Sequence, residues 1–120
     1  SMASLDTGNQ AEDLALKHLQ LNKLQLVERN YHCRRGEIDL IMLDQTVLVF
    51  IEVRYRKSAR FGSALESVDQ RKQNKIIHTA NHYLQQQAPT HTGCRFDVVA
   101  INSALSSSEI TWVKDAFQLN

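Results

Sequence analysis

The stretch from Gly36 to Arg54 limits the fold more than any other part of the chain. Two runs rich in Ile, Leu and Val, Gly36–Leu43 and Val47–Arg54, flank the short polar break Asp44-Gln45-Thr46. Paired apolar runs about a short break signal a β-hairpin. The second run is apolar on both faces as far as Glu52, which predicts a central strand covered on both sides. If Gln45-Thr46 is a two-residue turn, Ile41 lies opposite Phe50, Asp39 opposite Glu52 and Glu37 opposite Arg54. Side chains alternate with period two, so Asp39, Glu52 and Arg54 share a face.

Directly opposed Cβ atoms lie about 4.5–5.5 Å apart, and like charges at that distance repel. Asp39 and Glu52 therefore need a divalent cation, a shared proton or a nearby Arg. A Mg²⁺-type ion, held by one or two carboxylates and several waters, fits the spacing. The plainer alternative pairs Glu52 with Arg54 or Arg56 and leaves Asp39 at an exposed strand end.

At 120 residues the chain predicts one domain over 1–120 with a single core. Residues 1–5 and a loop over 55–65 are the segments expected to be flexible. The formal net charge is only +1. Its distribution is uneven, however. Arg29 to Lys75 holds ten Lys and Arg against six Asp and Glu, which makes that segment +4 and the remainder −3. A basic middle around an acidic pair suits a metal site facing phosphates. Cys33 and Cys94 lie far apart with no CxxC, which argues against a zinc site or a disulfide framework. Two reduced thiols and a cytoplasmic location are the expectation. No apolar stretch approaches the roughly 20 residues that span a bilayer, so no membrane is expected as a partner.

Along the chain, Asp6–Asn22 predicts a first helix with Ala11, Leu14, Ala15, His18 and Leu19 on its inner side, capped by Asp6, Thr7 or Asn9. Glu12 and Asp13 then sit in early turns, where negative charge complements the helix dipole. Leu24–Cys33 predicts a strand with Leu24 and Leu26 alternating, followed by Arg34-Arg35 before Gly36. Tyr55–Gly62 reads as a basic loop whose Arg56, Lys57 and Arg60 suit a phosphate backbone. Ser67 and Gln70 form a capping box that opens a long helix to about Gln87. Arg71, Lys72 and Lys75 crowd its first turns, where cations oppose the dipole and an external anion would relieve them. Arg95–Ile101 predicts a strand with Phe96, Val98 and Ala100 on one face and Asp97, Val99 and Ile101 on the other. Asn102–Ser108 reads as a polar turn, Glu109–Val113 as a short strand and Asp115–Leu119 as a last helical turn. The order α-β-β-β-α-β-β makes this an α/β chain with a mixed sheet of about five strands flanked by helices.

An Asp on one strand, followed thirteen residues later by Glu-x-Arg on an apolar strand, resembles the PD-(D/E)xK nuclease pattern. Gly8 and Glu12, Arg29-Asn30, Gly36–Ile41, Phe50–Arg56, Phe61-Gly62, Arg71-Lys72-Gln73, Ala80, Tyr83-Leu84, Arg95–Val99 and Ala116-Phe117 look like the YraN-like family of predicted endonucleases. That resemblance covers nearly the whole chain in order. It implies a restriction-endonuclease-like fold similar to archaeal Holliday-junction resolvases. By the same resemblance Asp39 and Glu52 are catalytic metal ligands, Glu12 is a third carboxylate from the first helix, and the cofactor is Mg²⁺ or Mn²⁺. A homodimer is admitted by the resemblance to resolvases. The motif lysine falls on Arg54, which stays protonated and cannot act as a base.

Two functions follow as expectations. The first is a divalent-metal-dependent endonuclease acting on nucleic acid, DNA with branched or otherwise structured sites. In it Asp39, Glu52 and Arg54 are catalytic, and Arg34, Arg35, Arg56, Lys57, Arg60, Arg71, Lys72 and Lys75 hold the backbone. The second is a nucleic-acid-binding domain that turns over weakly or not at all because Arg54 replaces the lysine, unless Lys57 or Lys72 substitutes for it.

Overall fold

A computed structural model describes residues 2–56, 66–104 and 107–118. The elements are α1 (Met2–Leu21), β1 (Gln25–Cys33), β2 (Gly36–Asp44), β3 (Val47–Arg56), α2 (Gln70–Gln87), β4 (Gly93–Ala104) and β5 (Ser107–Phe117). This is the expected α-β-β-β-α-β-β order. The five strands form one sheet in the order β1-β2-β3-β4-β5. Only β3 and β4 run parallel, with α2 as the crossover between them.

The two apolar faces of β3 explain its central place. Leu48 and Phe50 join Phe96, Val98, Ile76 and Tyr83 in a core beneath α2. Val49 and Ile51 join Ala11, Ala15, Leu19, Val99 and Ile101 beneath α1. The helices thus cover opposite faces, and the predicted alternation along β4 holds. The turn at Gln45-Thr46 has two residues, with Asp44 paired to Val47 and Ile41 to Phe50.

α1 begins at Met2, so Asp6, Thr7 and Asn9 lie within the helix and do not cap it. Glu12 and Asp13 are then mid-helix, beyond the reach of the N-terminal dipole. They face Arg29 of β1 instead, at 3.1 and 2.8 Å. Ala11, Ala15 and Leu19, spaced by four, form the inner stripe, and Leu14 lies outside it, exposed. On β1 a bulge between Leu26 and Glu28 breaks the expected alternation and leaves Leu26 exposed.

The cap of α2 is Asp69, whose carboxylate accepts from the Lys72 amide at 2.8 Å, and Gln70 is the first helical residue. The predicted Ser67–Gln70 box is therefore displaced by two residues. Buried Val68 anchors the chain just before the cap. Tyr55 and Arg56, expected to open a loop, instead continue β3, which keeps pairing with β4 through Arg56 and Asn102. Lys57 and Arg60 lie outside the described residues.

Of the polar turn predicted over 102–108, residues up to Ala104 belong to β4 and those from Ser107 to β5, and 105–106 lie outside the described residues. Where the sequence predicts a final helical turn from Asp115, the described residues continue β5 to Phe117. Two contacts hold it there. Phe117 stacks on Phe96 with centroids 5.0 Å apart. Buried Asp97 accepts from the Asp115 amide and from Trp112 Nε1, both at 2.9 Å, and from Arg95 Nε at 3.0 Å. No helix among the described residues is long and apolar enough to cross a membrane.

Urea unfolding checks both corrections. Asp69→Ala is expected to cost about 1 kcal/mol through loss of the cap. Phe117→Ala is expected to cost about 3 kcal/mol as a core deletion. A cost below about 0.5 kcal/mol at Phe117, typical of a surface position, would contradict its place in the core.

Candidate metal and phosphate site at a fork in the sheet

The β2–β3 ladder stops at Leu40 and Ile51. Beyond that rung β2 stays with β1, pairing Ile38 with Tyr31 and Glu37 with His32. β3 stays with β4, pairing Glu52 with Val98 and Arg54 with Ala100. The sheet opens as a fork, and Asp39 lies where it divides. Its Oδ2 accepts from the Val53 amide at 2.8 Å, taking the place of a carbonyl from β2. Ile38 packs beneath α2 and Leu40 beneath α1, so strict alternation breaks at this residue.

The Asp39 and Glu52 carboxyl groups line one groove at the fork and interact with each other there. Burial and then the neighbouring Glu52 push Asp39 up to about 8, against the opposing Val53 amide and Lys72. Glu52 is buried on the α2 face. Lys72 Nζ lies 3.1 Å from its Oε2, and Arg54 lies 3.9 Å away. Lys72 reaches this far because α2 sits unusually close to the β1–β2 hairpin. A Cβ at Gly36 would meet Thr79 Oγ1 at 2.8 Å and the Lys75 carbonyl at 3.3 Å, so only glycine permits the approach.

Glu12 approaches Asp39 from α1. Burial raises its carboxyl above the ordinary range, Arg29 opposes that rise, and the charge of Asp39 adds to it. Its Oε1 is held by Arg29 Nε and Nη2 at 3.2 and 3.1 Å. Among the described residues no three His, Cys, Asp or Glu side chains form a cluster able to hold a metal ion. Asp39 and Glu52 offer hard oxygen donors, and that pair suits a Mg²⁺- or Mn²⁺-type ion completed by water and phosphate.

On the α2 face the fork opens into a groove of about 480 Å³ lined by Arg35, Arg54, Lys72 and Lys75 beside Asp39 and Glu52. A second hollow of about 330 Å³ continues it along Arg54, Arg71, Lys72 and Lys75. Of the turn arginines, Arg35 lines the groove, while Arg34 is exposed outside its wall. Arg56 ends β3 and is not among the residues that line these hollows. Sequence reasoning missed the Val53 amide, Gly36 as a contact point for α2 and Arg29 as the partner of Glu12. The last two connect residues far apart in the chain, and spacing alone carries no signal for them.

A folded-state value raised above 3.8 means that Asp39 stabilises the fold at low pH and loses that contribution as pH rises through about 8. Asp39→Asn is expected to be more stable than the parent without divalent ions. The gap should open from about pH 4 and reach on the order of 2–3 kcal/mol at pH 8, read from urea melts. A gap independent of pH would show that Asp39 ionises normally.

The profile of the uncharacterised protein family UPF0102 matches residues 11–101. A UPF0102 protein of Nitrosococcus oceani is 52% identical over 115 residues, covering 95% of this chain and 93% of the relative. One from Saccharophagus degradans is 52% identical over 116 residues, covering 96% and 95%. One from Stutzerimonas stutzeri is 48% identical over 116 residues, covering 96% and 97%. With a profile match across most of its length and relatives of this identity, the chain belongs to the UPF0102, or YraN-like, family.

Proposed function

We propose that this protein is a Mg²⁺- or Mn²⁺-dependent phosphodiesterase acting on DNA at branched or otherwise structured sites. One observation carries the reading: two carboxyl groups, Asp39 and Glu52, lie together at a fork in the sheet, in a groove walled by Arg35, Arg54, Lys72 and Lys75. A carboxylate pair that retains a proton at neutral pH has an unmet need for positive charge. A bound dication would meet that need and supply Lewis-acid polarisation of a phosphate and acidification of the attacking water.

The chain's own residues do the rest. Asp39 and Glu52 are the ligands, and Glu12, held by Arg29, adds negative potential from the α1 side. Arg54 cannot take a proton, but its guanidinium can stabilise charge developing on the phosphate oxygens. Lys72 brings an ammonium group to Glu52 from a different element than the motif lysine would. It is placed to orient water and to neutralise the transition state. Arg35, Arg71 and Lys75 hold the backbone by charge, which positions a strand without reading sequence.

The rival reading is a nucleic-acid-binding domain without turnover, favoured by Arg54 at the lysine position. Nicking assays on a four-way DNA junction separate the two. Mn²⁺-dependent nicking, abolished by Asp39→Ala, is expected of the enzyme; salt-sensitive binding with no cleavage under any divalent ion supports the rival. Lys72→Ala is expected to slow nicking by about 100-fold, and Arg54→Lys in that background to recover part of the loss. Full activity in Lys72→Ala would remove Lys72 from the mechanism.

A further inference from the structure

We infer that a recess on the α1 face of the fork receives an unpaired base of the DNA strand whose phosphates occupy the groove, an inference that rests on the phosphodiesterase reading above. Glu37, Asp39 and Val53 form a wall common to both cavities. On its far side the recess measures about 420 Å³, within the range of roughly 300–1,000 Å³ typical of small-ligand sites.

The two cavities differ in charge. No Lys or Arg lines the recess among the described residues; Glu12, Glu37 and Asp39 do, with Asn9, Asn30 and Tyr55. It offers a phosphate no cationic side chain, so a backbone drawn into the basic groove is not held along it. A neutral heterocycle with N–H donors and an apolar face fits both features. Carboxylates accept from ring and exocyclic N–H groups, and side-chain amides both donate and accept. Tyr55, 36% exposed, offers a ring for stacking.

Strand geometry links the cavities. Arg54 and Tyr55 are consecutive on β3, and consecutive side chains point to opposite faces. Arg54 accordingly lines the groove and Tyr55 the recess. A nucleotide with its phosphate against Arg54 places its base beside Tyr55 only if that base has left its helix. A paired base is held in its stack, and extruding it costs a few kcal/mol, least where it is already unpaired. The arrangement therefore selects strands with unpaired nucleotides next to the bound phosphate.

The test uses a DNA hairpin with one bulged 2-aminopurine and the same hairpin with that base paired, bound in Ca²⁺ to suppress cleavage. The protein is expected to bind the bulged hairpin about tenfold more tightly and to quench its fluorescence through stacking. Tyr55→Ala should bring the ratio to within about twofold and restore the fluorescence, while Tyr55→Trp, which keeps a stacking face, should retain both effects. Equal binding of the two hairpins, or a preference that survives Tyr55→Ala, overturns the base recess alone. Absence of salt-dependent binding to either hairpin overturns the recess and the phosphodiesterase reading together.

Discussion

One carboxylate stands in for a rung of the sheet. By accepting from the Val53 amide, Asp39 satisfies a backbone donor that β2 no longer reaches. β2 can then turn away with β1 while β3 continues with β4. The opening supplies room for a site in an otherwise closed sheet. The same contact holds the Asp39 carboxyl in a desolvated position beside Glu52, where burial and the charge of Glu52 oppose its ionisation. The shape of the cleft and its electrostatic character thus have a common origin.

The surrounding elements divide the charge between the two faces. Close contact at Gly36 and Thr79 brings the first turns of α2 over the fork, and with them Lys72 and Lys75. The cap at Asp69 fixes where that helix starts, and therefore which residues reach Glu52. On the opposite face Arg29 ties α1 to β1 and keeps Glu12 ionisable beside Asp39. The far edge is secured independently, by the buried Asp97 network with Arg95, Trp112 and the Asp115 amide.

Much of this was legible in the sequence. Two apolar runs about a two-residue break defined the hairpin and its register, because a slip of one residue would turn every buried side chain to the wrong face. The doubly apolar run announced β3 as central, and period-two alternation gave both faces of β4. The features that were not legible depend on distant partners. Phe117 extends β5 because Phe96, on another strand, receives it. The sequence places the start of α2 two residues early, because Ser67 and Asp69 have similar intrinsic preference for the cap and only Asp69 takes it. The register was readable as far as Leu40 and Ile51. The expected pairs Asp39–Glu52 and Glu37–Arg54 fall past the end of the ladder, where Glu37 pairs with His32 and Arg54 with Ala100. Neither that end nor the reach of Lys72 across the layers was legible.

On the proposed reading, Arg54 stands where the nuclease motif would carry a lysine. A lysine stays at the site, carried by α2 instead of β3. The central claim is that the Asp39–Glu52 pair is held ready for a dication. Calorimetric titration with Mn²⁺ at pH 7, in buffers of different ionisation enthalpy, tests it most directly. The account predicts one ion per chain with release of about one proton, because the ion displaces the proton that Asp39 retains. Absence of binding heat, or binding without proton release that persists in Glu52→Gln, would contradict it.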